Sequence, residues 1–374
     1  MSDSGKNKIA VIGIGCTFPG AHTKEDFWEN ILARRQQFRR TLDVRLPISD
    51  YHDFDKKAED KTYGRFGAYI QDFKFDWAKR MIPKLTYETT DIVHWLSLDT
   101  ALQALQDAGY ERKQVSDANI GVIVGNSLTG EQMRSFAMRL RWPYIERTLK
   151  KAGEVAGAKA EEIQHVSDVM KKIYKSVFPP TTEDSLAGAL SNTIAGRICN
   201  YMNLKGGGYT VDGACSSSLI AIATAADALI QNKVDMAISG GVDVSLDSFE
   251  LIGFAKTGAL SPDTMHVYDK KAQGFIPGEG AGFVILKRYE DAIRDGNKIY
   301  AVIRGWGISS DGKGGITAPD KIGQSLALQK AYNMAGYKSS EVNFIEGHGT
   351  GTTLGDRTEL EGIAATMDHF GYDL

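Results

Sequence analysis

The stretch Tyr209-Thr-Val-Asp-Gly-Ala-Cys-Ser-Ser-Ser-Leu219 decides how the chain is read. It opens as a strand at Tyr209, Thr210 and Val211 and breaks at Gly213. It then runs into residues 219–230, where Ala, Leu and Ile dominate and helix propensity is high. Cys215 therefore stands where a buried strand hands over to the N-terminus of a buried helix. Unpaired N–H groups and the positive end of the helix dipole favour a thiolate there over a thiol. A strand–turn–helix corner is also how a fold presents a nucleophile among backbone donors. The plainer reading is a small buried cysteine that only packs, since free cysteine is among the most buried residue types.

Composition bounds the alternatives. The chain has 374 residues, is 42% hydrophobic and 24% charged, and carries 40 glycines, as an ordinary globular protein does. A net charge of −3 gives no general electrostatic reason to bind nucleic acid or an anionic membrane. Three scattered cysteines, Cys16, Cys199 and Cys215, argue for a reducing compartment rather than a disulfide framework. No Cys-x-x-Cys pair suggests a metal, the polar N-terminus lacks a signal-peptide core, and no apolar run is long enough to span a bilayer. A cytoplasmic protein without bound metal or cofactor is expected.

Outward from Cys215, the pattern is that of an α/β protein. Buried strands are expected at 9–15, 119–125, 234–244, 283–287, 300–308 and 342–346, from their continuous apolar runs. Thr23 with Asp26 starts a helix, and the Trp95, Leu98, Leu102, Leu105 stripe predicts another over 92–108, stopped by Gly109. His94 on that helix reads as a packed or capping side chain. Further helices are expected at 219–230 and 321–334. Residues 35–88 read as an irregular surface excursion. Residues 130–185, rich in Arg and Lys, read as a helical insertion whose charges form a solvated face or dock an acidic partner. The glycines at 274–282 lack the Gly-Lys-Ser/Thr of a phosphate loop and suit tight backbone packing near a site. Helix–strand order recurs in the C-terminal part, which fits a duplicated core.

His348 follows the last apolar run and is flanked by Gly347, Gly349 and Gly351. Ligands in open α/β sheets bind at the carboxyl ends of strands, so this imidazole is well placed to reach one. A thiol at a helix start and a histidine at a strand end together suit acyl-thioester chemistry.

The pieces Ile9-Ala-Val-Ile-Gly-Ile-Gly-Cys-Thr-Phe-Pro-Gly20, Val211-Asp-Gly-Ala-Cys-Ser-Ser-Ser218, Leu260-Ser-Pro-Asp263, Gly278-Glu-Gly-Ala-Gly282, Ile308-Ser-Ser-Asp-Gly312 and Glu346-Gly-His-Gly-Thr-Gly-Thr352 resemble, in this order, a β-ketoacyl synthase. More narrowly the chain is similar to the ketosynthase domain of polyketide synthases. The stretch Asp91-Ile-Val-His-Trp-Leu-Ser-Leu-Asp99, where the family has Asp-Pro-Gln-Gln-Arg, resembles enediyne-type iterative synthases.

The resemblance implies a thiolase-like α/β fold of five layers, α-β-α-β-α, with duplicated halves, built as a homodimer. It divides the chain into an N-terminal half, 8–297, and a partial C-terminal half, 298–374. It implies Cys215 as acyl-accepting nucleophile and His348 as the first active-site histidine. The Cys215 N–H would form half of the oxyanion hole. Glu279, Asp212 and Gly213 are implied as supporting residues, and Thr350 and Thr352 as substrate-binding residues. It also implies an acyl carrier protein that brings phosphopantetheine, with further synthase domains on the same or a companion chain. The family's later Lys and second His have no counterpart here: His369 follows Met367-Asp368 and lacks the expected Gly. The chain is thus expected to be a fragment, with a split enzyme or a degenerate copy as alternatives. Rival functions are an acyl-loading transferase that does not condense, and a non-catalytic partner of an active ketosynthase.

Overall fold

The computed structural model describes residues 8–244, 246–312 and 318–369. Six strands form one mixed sheet: β1 (Ile9–Thr17), β2 (Ile120–Gly125), β3 (Gly208–Val211), β4 (Met236–Asp243), β5 (Gly280–Arg288) and β6 (Ala301–Ile303). Their order across the sheet is β3-β2-β4-β5-β1-β6. The β3/β2 and β2/β4 pairs are parallel, whereas β4/β5, β5/β1 and β1/β6 are antiparallel. The central strands β1 and β2 are apolar and buried on both faces, as their unbroken Val/Ile runs require.

Helices cover both faces. The helix Ile92–Asp107, capped by Asp91, and the helix Asn192–Met202 pack on one side, in a core that holds Trp95, Leu98, Leu105, Ile194 and Ile198. On the other side lies the helix Ser217–Ile230, which packs Ala221, Ala225 and Leu229 against Ile9, Ile123 and Leu286. The strand leading to Cys215 is an edge strand and largely exposed, rather than buried as its sequence suggests. Residues 130–185, expected to be a helical insertion, form three helices, Glu131–Leu140, Trp142–Val155 and Ala160–Ser176.

The C-terminal part departs from the sequence reading in two places. Residues 342–346 form no strand, and Phe344 is 76% exposed. A strand needs a neighbour to satisfy its N–H and C=O groups, and among the described residues none lies alongside. The expected strand at 300–308 shortens to β6 and joins the first sheet. Of five layers, the described residues thus complete the first three; the helices Lys321–Ala335 and Thr353–His369 pack on each other beyond them.

Duplication is visible in backbone packing. A Cβ on Gly13 would meet the Ala104 oxygen at 2.3 Å, and one on Gly15 the Thr100 oxygen at 2.3 Å. In the C-terminal part a Cβ on Gly305 would meet the Ala331 oxygen at 2.3 Å, and one on Gly307 the Ala327 oxygen at 2.0 Å. The same Gly-x-Gly lies against the same helix face twice.

Candidate active site

β3 ends at Val211, and the chain turns through Asp212 and Gly213 into a single 3-10 turn, Ala214–Ser216, before the helix Ser217–Ile230 begins. Ala214 takes the left-handed conformation at φ 51, a costly backbone for a residue with a Cβ. Hydrogen bonds hold it there. The Asp212 carboxylate accepts the Ala214 N–H at 2.9 Å and the Ser127 hydroxyl at 2.8 Å, and the Ser217 hydroxyl donates to the Ala214 oxygen at 2.7 Å. The Gly213 N–H donates to the Ser217 hydroxyl oxygen at 2.9 Å. Asp212 and Gly213 therefore shape the corner that lifts Cys215 into the open. The corner rests directly on two strand ends: a Cβ on Gly125 would strike the Ser217 backbone at 2.5 Å, and one on Gly241 the Ser218 Cβ at 2.8 Å.

The three thiols separate by environment. Burial pushes Cys16 and Cys199 up to about 11. Cys215 is exposed, and a hydrogen bond with the His348 side chain lowers it below the usual thiol range, against the opposing effect of burial. The same bond raises the His348 imidazole. Cys215 and His348, far apart in sequence, form one thiol–imidazole pair biased toward thiolate and imidazolium. The sequence reading credits the helix start with this activation; His348 is the larger cause, and the Cys215 backbone N–H a smaller one.

His348 sits in a loop without regular structure between residues 342 and 352. Its anchors come from the helix Thr353–His369, which the sequence reading leaves unassigned. Glu359 accepts the N–H of His348 at 2.5 Å and that of Gly349 at 2.9 Å, and Asp356 accepts the N–H of Gly351 at 2.8 Å. Burial raises Glu359, but these bonds outweigh it and keep the carboxyl below its usual range. The glycine-rich 274–282 loop packs here as expected, with the Gly274 N–H donating to the Gly351 oxygen at 2.8 Å. The threonine hydroxyls turn to each other: Thr350 and Thr352 lie 2.9 Å apart, and Thr352 accepts the Gly355 N–H at 3.1 Å.

Glu279 is 4% exposed, one residue before β5. It pairs with Arg45 and accepts the Ile70 N–H at 3.0 Å, which ties the irregular 35–88 excursion to the sheet. Burial pushes it up to about 7 against the Arg45 charge. Arg45 escaped the sequence reading because its partner lies across the fold. His94 is fully buried and neutral. Among the described residues no cluster of His, Cys, Asp and Glu is arranged to hold a metal ion, and no helix is long and apolar enough to cross a membrane.

Comparison with known proteins agrees with this geometry. "Beta-ketoacyl synthase, N-terminal domain" matches residues 6–292, and "Beta-ketoacyl synthase, C-terminal domain" matches residues 300–371. A polyunsaturated fatty acid synthase polypeptide of Thraustochytrium sp. is 37% identical over 96% of this chain and 13% of its own length. Polyketide synthase PksL of Bacillus subtilis is 30% identical over 98% of the chain and 7% of its own. The ketosynthase from module 6 of the bacillaene synthase of Bacillus subtilis superposes with a TM-score of 0.77 at 29% identity, covering 97% of this chain and 55% of that one. The chain thus spans a small part of the curated relatives and about half of that bacillaene ketosynthase chain. It has the thiolase-like fold of that ketosynthase. The protein belongs to the β-ketoacyl synthase family, as a ketosynthase domain of the polyketide synthase type.

Proposed function

We propose that the chain takes part in both halves of β-ketoacyl synthesis, acyl transfer and decarboxylative condensation. The Cys215 thiolate attacks the thioester carbonyl of an acyl chain on a carrier protein's phosphopantetheine arm. A new thioester forms on Sγ, and the carrier thiol leaves with a proton. A malonyl thioester on a second carrier arm then loses carbon dioxide. The resulting enolate attacks the Cys215 thioester, giving a β-ketoacyl carrier product and returning the thiolate. His348 hydrogen-bonds the enolate oxygen, and the Cys215 N–H supplies one oxyanion donor. Glu279 holds the strand end in place, and Thr350 and Thr352 line the approach of the arm. The open edge of β3 supports a homodimer, since an exposed edge strand invites a second copy to extend the sheet.

The Cys215–His348 pair carries this reading. Radiolabelled acyl thioester offered to this chain should label Cys215 and not a Cys215→Ala variant; equal labelling of both would sink covalent catalysis. Labelling without carbon dioxide release from malonyl thioester would favour a loading transferase instead.

A further inference from the structure

The loop that carries His348 has no strand ladder to hold it, so side chains must fix the imidazole's position. Three donors converge on one carboxylate. Glu359 Oε1 accepts the His348 N–H at 2.5 Å, while Oε2 accepts the Gly349 N–H at 2.9 Å and the Tyr268 hydroxyl at 2.6 Å. Tyr268 is tied a second time through its backbone: its N–H donates to Asp356 Oδ2 at 2.6 Å, and Asp356 Oδ1 accepts the Gly351 N–H at 2.8 Å. The glycines beside His348 make room for this bracket. A Cβ on Gly347 would lie 1.9 Å from the Tyr268 hydroxyl, and one on Gly349 2.8 Å from Val267 Cγ1.

We propose that Tyr268 is a positioning residue for His348, whose hydroxyl orients the Glu359 carboxylate that grips the backbone of the histidine loop. This rests on the reading that His348 activates Cys215. Without the phenol, one oxygen of Glu359 loses a donor and the carboxylate is free to rotate. The loop can then slide along the helix Thr353–His369, and the imidazole drifts from the sulfur. Burial and the neighbouring carboxylates push the Tyr268 phenol up, so it remains a donor throughout the working range. A side chain that merely fills space would act through its ring alone, which Tyr268→Phe retains.

The test is the pH–rate profile for alkylation of Cys215 by iodoacetamide, measured on the full chain. In Tyr268→Phe the midpoint should rise toward that of an ordinary thiol and the rate at pH 7 fall about threefold or more. Thermal stability should barely move. Glu359→Gln should behave likewise, and the double variant should be no worse than the weaker single one, because both act on one contact. A Tyr268→Phe profile that superimposes on the wild type overturns the proposal, whether or not Glu359→Gln folds. A wild-type Cys215 that titrates like a free thiol removes the Cys215–His348 reading itself, and the positioning role with it; the wild-type curve alone tells these two failures apart.

Discussion

Gly13 lies so close to Ala104 that an added Cβ would come within 2.3 Å of the Ala104 carbonyl oxygen. Backbone cannot retreat as a flexible side chain can, so the helix Ile92–Asp107 would have to shift off the sheet. Gly13→Ala should cost about 2–3 kcal/mol of stability, as overpacking into a rigid core does. Gly305→Ala, facing Ala331 at the same 2.3 Å, should cost a similar amount if the second packing matters equally. Gly196→Ala provides the control: no atom lies within 4 Å of its added Cβ, and it sits in a helix, so stability should rise by about 0.5–1 kcal/mol. Denaturant midpoints for the three variants decide the matter, and an unaffected Gly13→Ala would refute the close approach.

That pairing also explains what was legible in sequence. Local features carry through: the capping Thr23, the apolar strands at 9–15, 119–125, 234–244 and 283–287, and the helix over 92–108 are each written in contiguous residues. Cys215 and His348, each singled out from contiguous residues, are brought together by the fold. The rest was tertiary. Arg45 meets Glu279 and Glu359 meets His348 only after the chain folds back, and no local pattern announces either. Residues 342–346 misled because an apolar run states an appetite for burial, while a strand also needs a neighbour.

The thiols should react in a fixed order. At pH 7 a group with a pKa near 11 is thiolate only about one part in ten thousand, so Cys16 and Cys199 are nearly inert, and the burial of Cys16 slows it further. Iodoacetamide should modify Cys215 first, by about a hundredfold or more, with peptide mapping as the readout. Faster labelling of Cys16 or Cys199 would overturn the nucleophile assignment. Because His348 is the main cause of the lowered thiol, His348→Ala should slow acyl loading at pH 7 as well as decarboxylation.

The helical insertion gives a charge-dependent prediction. Lys150 pairs with Glu146 at 3.0 Å and Lys151 with Glu154 at 3.3 Å, both within the helix Trp142–Val155, the first pair half-buried and the second exposed. Such pairs contribute little to folding, so replacing Lys150, Lys151 and Lys172 by Glu should leave stability nearly unchanged. Binding of an acidic carrier protein should weaken by about tenfold at low ionic strength and less at high salt. Equal affinity in titration calorimetry would make this face a solvated one only.

His94 supplies an acid sensitivity separate from the thiol's titration. It is fully buried, and neither ring nitrogen has a hydrogen-bond partner among the described residues. Burial, with the Arg197 charge nearby, depresses it to about 3, so the folded chain holds it neutral. An unfolded chain protonates the same ring near its ordinary 6.5. Between those values the unfolded state binds the extra proton, and stability must fall as pH falls. At pH 5 the loss from this one group is about 2 kcal/mol, growing until pH 3 is reached. His94→Leu keeps an apolar filling of similar size and removes the titration. Its stability should therefore decline less steeply than wild type between pH 6.5 and pH 4 in urea unfolding. Parallel curves for the two proteins would mean that the ring gains its proton inside the fold, and that the pocket around Trp95 and Arg197 is wetter than its packing indicates.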